Sequence, residues 1–182
     1  MPSASSSSSD TQTLAALSVA LVNSPRANLQ ELAQSIGISK ATLYRFCRTR
    51  DELIERLGNH SVEVLNQTIE LIDLNADPIE MLQTLTERFL ERREVSSFLT
   101  YYWVEVAKTV EGHLSVWERS LDAFFLNGQQ RGVFRLDISA QALTETWTSV
   151  MVGLIEAERR GRVARAGLSS LTNQLFLEGA KA

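Results

Sequence analysis

The chain has little of what marks several other classes of protein. It holds a single cysteine, Cys47, in 182 residues, so no intramolecular disulfide can form and nothing points to a disulfide-stapled secreted scaffold. Its two histidines, His60 and His113, stand far apart, and without a Cys/His cluster no structural zinc is expected, nor any other metal or cofactor. No nucleophile–base pairing or phosphate-cradling glycine loop is evident, which argues against an enzyme. Prolines are confined to Pro2, Pro25 and Pro78, leaving long stretches uninterrupted for helices. The apolar run Leu14 to Val22 is too short to cross a bilayer. It also lacks a basic segment before it, since Met1 to Thr13 contain no Lys or Arg. A buried first helix in a cytoplasmic protein, with no membrane partner, is the expectation.

What is present is an ordinary globular balance, 44% apolar, with a net charge of −4. That acidity hides an asymmetry. From Leu32 through Arg50 there is no Asp or Glu, while Lys40, Arg45, Arg48 and Arg50 are all basic. A basic patch on an acidic body lets one end approach a phosphate backbone that the remainder repels.

Residues 1–10 are serine-rich, bury almost nothing, and read as disordered. Beyond them the periodicity is helical and no segment alternates with period two, so the expected fold is all-α, with about nine helices. A first helix carries Leu14, Leu17 and Leu21. The second has Leu29, Leu32, Ala33 and Ile36 on one face behind an N-cap at Asn28. Gly37 supplies a turn, and Ser39 caps a short third helix containing Leu43 and Cys47. A long fourth helix starts at Arg50 and Asp51, repeats Leu57, Val64 and Leu71, and is expected to stop near Asn75. Asp77 and Pro78 open a fifth. Leu99, Tyr102, Val106 and Val110 mark a sixth, broken by Gly112. Leu114, Trp117, Leu121 and Phe124 mark a seventh. Leu143, Trp147, Val150, Met151 and Leu154 mark an eighth, opened by Ser139, and Leu168, Leu171 and Leu175 a ninth. This divides the chain into a helix-turn-helix head over residues 11–50, the first three helices, and a helical bundle over 51–182.

The segment from Asn28 to Arg50, NLQELAQSIGISKATLYRFCRTR, is a helix, a glycine turn and a second short helix with polar and basic side chains. Such a unit places its second helix in a major groove while the first crosses the backbone. Ser39 and Thr42 are short enough to reach phosphate or base edges, and Lys40 and Arg45 supply charge. Tyr44 offers a ring to a thymine methyl and a hydroxyl to phosphate, and Arg50 would clamp the backbone beside the groove. On charge alone a solvated basic helix explains the segment; the glycine turn, the cap and the particular exposed residues favour a reader.

At Asn28, Leu29, Leu32, Ala33, Gly37, Ile38, Ser39, Thr42, Leu43, Tyr44, Arg50, Asp51 and Leu53 the chain resembles the TetR family. The rest resembles it in architecture, including the link QQRGVFRLDI into the eighth helix. The resemblance implies that Asn28, Ser39, Lys40, Thr42, Tyr44, Arg45 and Arg50 contact DNA. Three departures stand out: Cys47 replaces a usual aromatic, Arg48 replaces a common proline, and the loop around Pro25 is short. Phe46 is the residue placed to repack the space beside Cys47.

In the body, Trp103, Trp117, Phe124, Trp147 and Met151 read either as core or as the lining of an apolar ligand cavity between helices. Glu105, Thr144 and Thr148 are candidate polar groups within it, while His113 suits a helix boundary. The resemblance also implies a homodimer through helices eight and nine, for which Thr146, Val152, Gly153 and Ile155 are suited. Two heads would then engage a near-palindromic double-stranded operator. The function so read is a sequence-specific regulator of transcription, a repressor released by a small apolar or amphipathic effector. A dimeric DNA binder with no small-molecule ligand, and a protein-binding adaptor on the same fold, are the alternatives.

Overall fold

A computed structural model describes the backbone of residues 4–108 and 113–182, and the side chains of 10–108 and 116–182. Among the described residues there are nine helices: α1 (Ala4–Asn23), α2 (Leu29–Ser35), α3 (Lys40–Phe46), α4 (Arg50–Ile69), α5 (Pro78–Glu91), α6 (Arg93–Ala107), α7 (His113–Gln130), α8 (Ala140–Arg159) and α9 (Leu168–Ala180). The all-α class read from the periodicity is the fold observed. One isolated antiparallel bridge, Phe134 with Lys181, is the only extended pairing among them.

The helices form two compact units. One comprises Met1–Glu63 with Glu94–Glu111, the other Val64–Arg93 with Gly112–Ala182. The division between these units falls inside α4, and α6 joins the N-terminal unit. In that unit Leu17, Leu32, Leu43, Leu53, Leu57 and Phe98 are fully buried. Each sits on the inward stripe of its helix, which is what holds three short helices together when propensity alone would not. The second unit is organised around aromatic rings: Phe125 lies 5.3 Å from Phe134, 5.6 Å from Phe176 and 6.4 Å from Trp147. A buried polar link crosses it. Thr86 Oγ1 lies 2.8 Å from Asn173 Oδ1 and accepts from Trp147 Nε1 at 3.3 Å, so these groups of α5, α8 and α9 satisfy one another.

Local chemistry explains most boundaries. Asn28, Ser39 and Asp77 cap as expected, Ser139 caps the helix it opens, and Asp77 Oδ1 accepts from the amides of Ile79 and Glu80 with Pro78 in the first turn. Four expectations are revised. Helix runs back to Ala4 through the serines expected to be disordered, since an anchored helix extends more easily than it nucleates. α4 ends at Ile69, not near Asn75: the Leu71 and Ile72 amides turn to the Thr68 and Ile69 carbonyls three residues back, and Asp73 Oδ1 then accepts from the Asn75 amide at 2.8 Å in a separate turn. Leu71 is consequently exposed. The buried face of α9 is Leu168, Thr172, Phe176 and Ala180, with Leu175 outward. On α8, Val150 and Leu154 are half-buried while Ile155 is buried, so Ile155 faces its own core. The expectations at Val110 and Gly112 lie outside the described residues.

Candidate nucleic-acid interface

The candidate interface is built from short-range hydrogen bonds. Asn28 and Glu31 form a reciprocal capping box: Asn28 Oδ1 accepts from the amides of Gln30 and Glu31 at 3.0 Å, and Glu31 Oε2 accepts from the Asn28 amide at 2.8 Å. α2 then ends in a left-handed glycine, Gly37 at φ +74°. The Ile38 amide reaches back to the Ala33 carbonyl and the Gly37 amide to that of Gln34, a closure that a side chain at position 37 would strain. Ser39 restarts the chain by accepting from the Thr42 amide at 3.0 Å, with its hydroxyl 2.9 Å from that of Thr42.

α3 is thereby two-faced. Leu43 is fully buried and Cys47, directly after the helix, is 2% exposed. Lys40, Tyr44 and Arg45 are exposed, as is the cap Ser39, and Thr42 is half-buried. Lys40 Nζ lies 5.4 Å from the Tyr44 ring centroid, a cation–π contact that presents phenol and ammonium together. Between this face and the α1–α2 loop runs an open groove of about 580 Å³, lined by Pro25 to Gln30, Lys40, Tyr44 and Arg48 to Arg50. The sequence reading did not include Arg26, Gln30 or Thr49 among the contact residues, and it placed Arg48 in the basic patch without naming it as a contact. The signal available for them was their proximity to the two caps.

Arg50 is tied to the loop before α2 and to α6. Its Nη1 donates to the Ala27 carbonyl at 3.1 Å, and its Nη2 donates to the Pro25 carbonyl at 2.6 Å and to Tyr102 Oη at 3.2 Å. Cys47 fills its place as a small apolar group. Burial first, then the Glu52 carboxylate, raises its thiol pKa, against a lowering by Arg56. Phe46 does not repack fully inward; it is half-buried with the Arg56 guanidinium 5.8 Å over its ring.

The proposed cavity residues fall in different places. Trp117, Phe124, Trp147 and Met151 are buried in the second unit, with Phe89 4.6 Å from the Trp117 ring and 5.5 Å from Trp147. Trp103 belongs to the first unit and is exposed on α6. Glu105 is exposed, and Thr144 is buried and donates to Asp122 Oδ1 at 2.7 Å. Thr148 Oγ1 is buried without a partner among the described residues, as is Asn66 Oδ1. His113 begins α7. Thr146 and Gly153 are exposed and Val152 is half-buried.

A helix-turn-helix with an outward polar second helix, inside an all-helical chain, defines a DNA-binding regulator. The chain is 45% identical, over 95% of its own length and of the relative's, to the HTH-type transcriptional regulator NfxB of Pseudomonas aeruginosa. It shares its fold with the TetR-like regulator LfrR of Mycobacterium smegmatis in complex with proflavine (TM-score 0.68, 19% identity, 95% and 97% coverage). A Saccharomonospora viridis protein in complex with choline is similar too (TM-score 0.69, 19% identity, 96% and 99% coverage). No family model matches the chain. The protein belongs to the TetR family of transcriptional regulators. No helix among the described residues is long and apolar enough to cross a membrane.

Proposed function

We propose that this regulator acts in the cytoplasm as a homodimer that represses transcription by occupying a near-palindromic operator, each protomer laying α3 in a major groove. The observation that carries the reading is the division of α3, with Leu43 buried beneath exposed Lys40, Tyr44 and Arg45. Ser39, Thr42, Tyr44 and Arg45 reach base edges and nearby phosphates; Asn28 and Lys40 hold the backbone. Arg50 assists from behind by ordering the loop that leads to Asn28. Two heads whose reading helices are about 34 Å apart match half-sites one turn apart, and pairing through α8 and α9 sets that spacing.

An effector relieves repression by binding more tightly to a state in which the heads no longer match that spacing, and its leverage is limited to its difference in affinity between the two states. Support comes from two buried oxygens without a partner among the described residues, Asn66 Oδ1 and Thr148 Oγ1, which a polar ligand atom would satisfy. The proflavine and choline complexes of similar folds point the same way. The second reading, a DNA binder without effector, is favoured by the ring contacts that pack Trp117 and Trp147 against Phe89.

A gel-shift titration against duplexes selected from a random pool tests the DNA reading. Binding that weakens with salt and is lost in Tyr44→Ala supports it; no shift at low salt, or wild-type binding by Tyr44→Ala, sinks it. Tryptophan fluorescence titrated with a panel of amphipathic cations, read against operator release, separates the two accounts of the body.

A further inference from the structure

The residue that the reader motif leaves unused is Tyr102. It lies on α6, 52 residues from Arg50 in sequence and 81 from Leu21, yet its phenol joins both. The Leu21 carbonyl is in the last turn of α1, where helix carbonyls have no intrahelical partner. Tyr102 Oη donates its one proton to that carbonyl at 3.3 Å and accepts from Arg50 Nη2 at 3.2 Å. The same guanidinium holds the carbonyls of Pro25 and Ala27, which lead directly into the Asn28 cap of α2.

The phenol is well fixed. Tyr102 is 7% exposed and its ring stacks on fully buried Phe98, at 5.1 Å between centroids and 17° between planes. α6 leaves helical geometry at this residue (φ −118°, ψ 18°), although Arg93–Ala107 contains no proline or glycine. The departure coincides with a side chain bonded to two other segments. One turn further on, α6 approaches α4 so closely that a Cβ on Gly58 would lie 3.1 Å from both Val106 methyl carbons. α6 is therefore fastened to α4 at Gly58 by packing, and to Arg50 and Leu21 by hydrogen bonds.

We propose that Tyr102 is a positioning residue for DNA recognition. Its phenol orients Arg50, Arg50 orders the loop from Pro25 to Ala27, and that loop sets the entry of α2 and, through the Gly37 turn, the orientation of α3. This rests on the DNA-binding reading above. Arg50 in this scheme serves the operator without touching it. Losing the phenol hydroxyl leaves the ring stack intact but removes a donor from Leu21 and an acceptor from Arg50, freeing the loop in the unbound protein.

The test uses the full-length chain, with fluorescence anisotropy against a selected operator duplex and a random-sequence duplex of equal length. Tyr102→Phe should lower operator affinity about fivefold, the worth of one net hydrogen bond, and leave random-duplex affinity within about twofold. Adding Tyr102→Phe to Arg50→Met should cost nothing further, because both act through one path. In the free protein, amide exchange at Gln30 and Glu31 should quicken in Tyr102→Phe while the thermal midpoint stays well above the assay temperature. Wild-type operator affinity in Tyr102→Phe, equal losses on both duplexes, losses that multiply in the double variant, or unchanged exchange at Gln30 and Glu31 each overturn the proposal. A wild-type chain with no preference for any selected duplex overturns the DNA reading itself, and the proposal with it.

Discussion

Replacing Gly128 by alanine should destabilise the second unit, even though alanine is the better helix former. Gly128 lies in α7, two residues from its end, where its carbonyl accepts the Val133 amide at 2.9 Å as the chain turns back. A Cβ built there falls closer than 3.0 Å to Cδ2 and Cε2 of Phe134. The ring cannot swing aside: Phe134 is fully buried, and the rings of Phe124 and Phe125 lie 6.0 and 5.3 Å away. Overpacking of this kind costs about 1–3 kcal/mol, and outright expulsion of the ring about 3–5 kcal/mol. Against it stands a helix-propensity gain of about 1 kcal/mol. The net loss should be about 2 kcal/mol, a fall of roughly 4–8 °C in Tm for a chain of this length. Thermal denaturation followed at 222 nm measures it, with the double variant Gly128→Ala and Phe134→Leu recovering part of the loss because the smaller side chain makes room. A Gly128→Ala protein as stable as wild type would refute the packing argument for the aromatic cluster around Phe134.

Other perturbations probe the head and the assembly. Asn28→Asp should keep the capping box and hence the stability of α2, yet weaken operator binding several-fold by setting a carboxylate against phosphate, whereas Asn28→Ala should cost about 1 kcal/mol of stability; matched thermal melts and anisotropy titrations distinguish the two, and equal operator binding by Asn28→Asp and wild type would remove Asn28 from the contact list. Cys47, 2% exposed and with its thiol pKa raised by burial, should react with iodoacetamide in the native state far more slowly than in urea at the same pH; fast native labelling would show a loose head. Gly153 is exposed, with nothing within 4 Å of an added Cβ, so Gly153→Arg should leave the helical signal of the chain intact while breaking the dimer, as read by sedimentation velocity. A dimer that survives Gly153→Arg argues against a close helix contact there.

What could be read in advance was what short-range chemistry decides. Asn28, Ser39 and Asp77 cap because their own side chains reach amides two or three residues ahead, and Gly37 turns because it alone tolerates its dihedral angle. The two-faced α3 follows from the Leu43 and Cys47 spacing. Misreadings arose where a local bond or a distant partner overrode the pattern. Leu71 continues the spacing of α4, but the backbone tightens at Thr68 and Ile69 and the helix ends first. α9 was read from Leu168, Leu171 and Leu175; Leu168 is buried, but Thr172 and Asn173 are buried where Leu175 is exposed, Asn173 because it meets Thr86 87 residues earlier. The tie from Arg50 to two loop carbonyls and to the Tyr102 phenol was not legible, because its phenol partner sits on a helix 52 residues further along the chain. No single-window pattern carries such a pairing.

The account stands or falls on α3 occupying a major groove, and dimethyl sulfate protection of guanine N7 on a selected operator reads that groove directly. The prediction is protection in two half-sites one helical turn apart, abolished by Tyr44→Ala together with Arg45→Ala. Bound protein that leaves every guanine N7 open to methylation would contradict it.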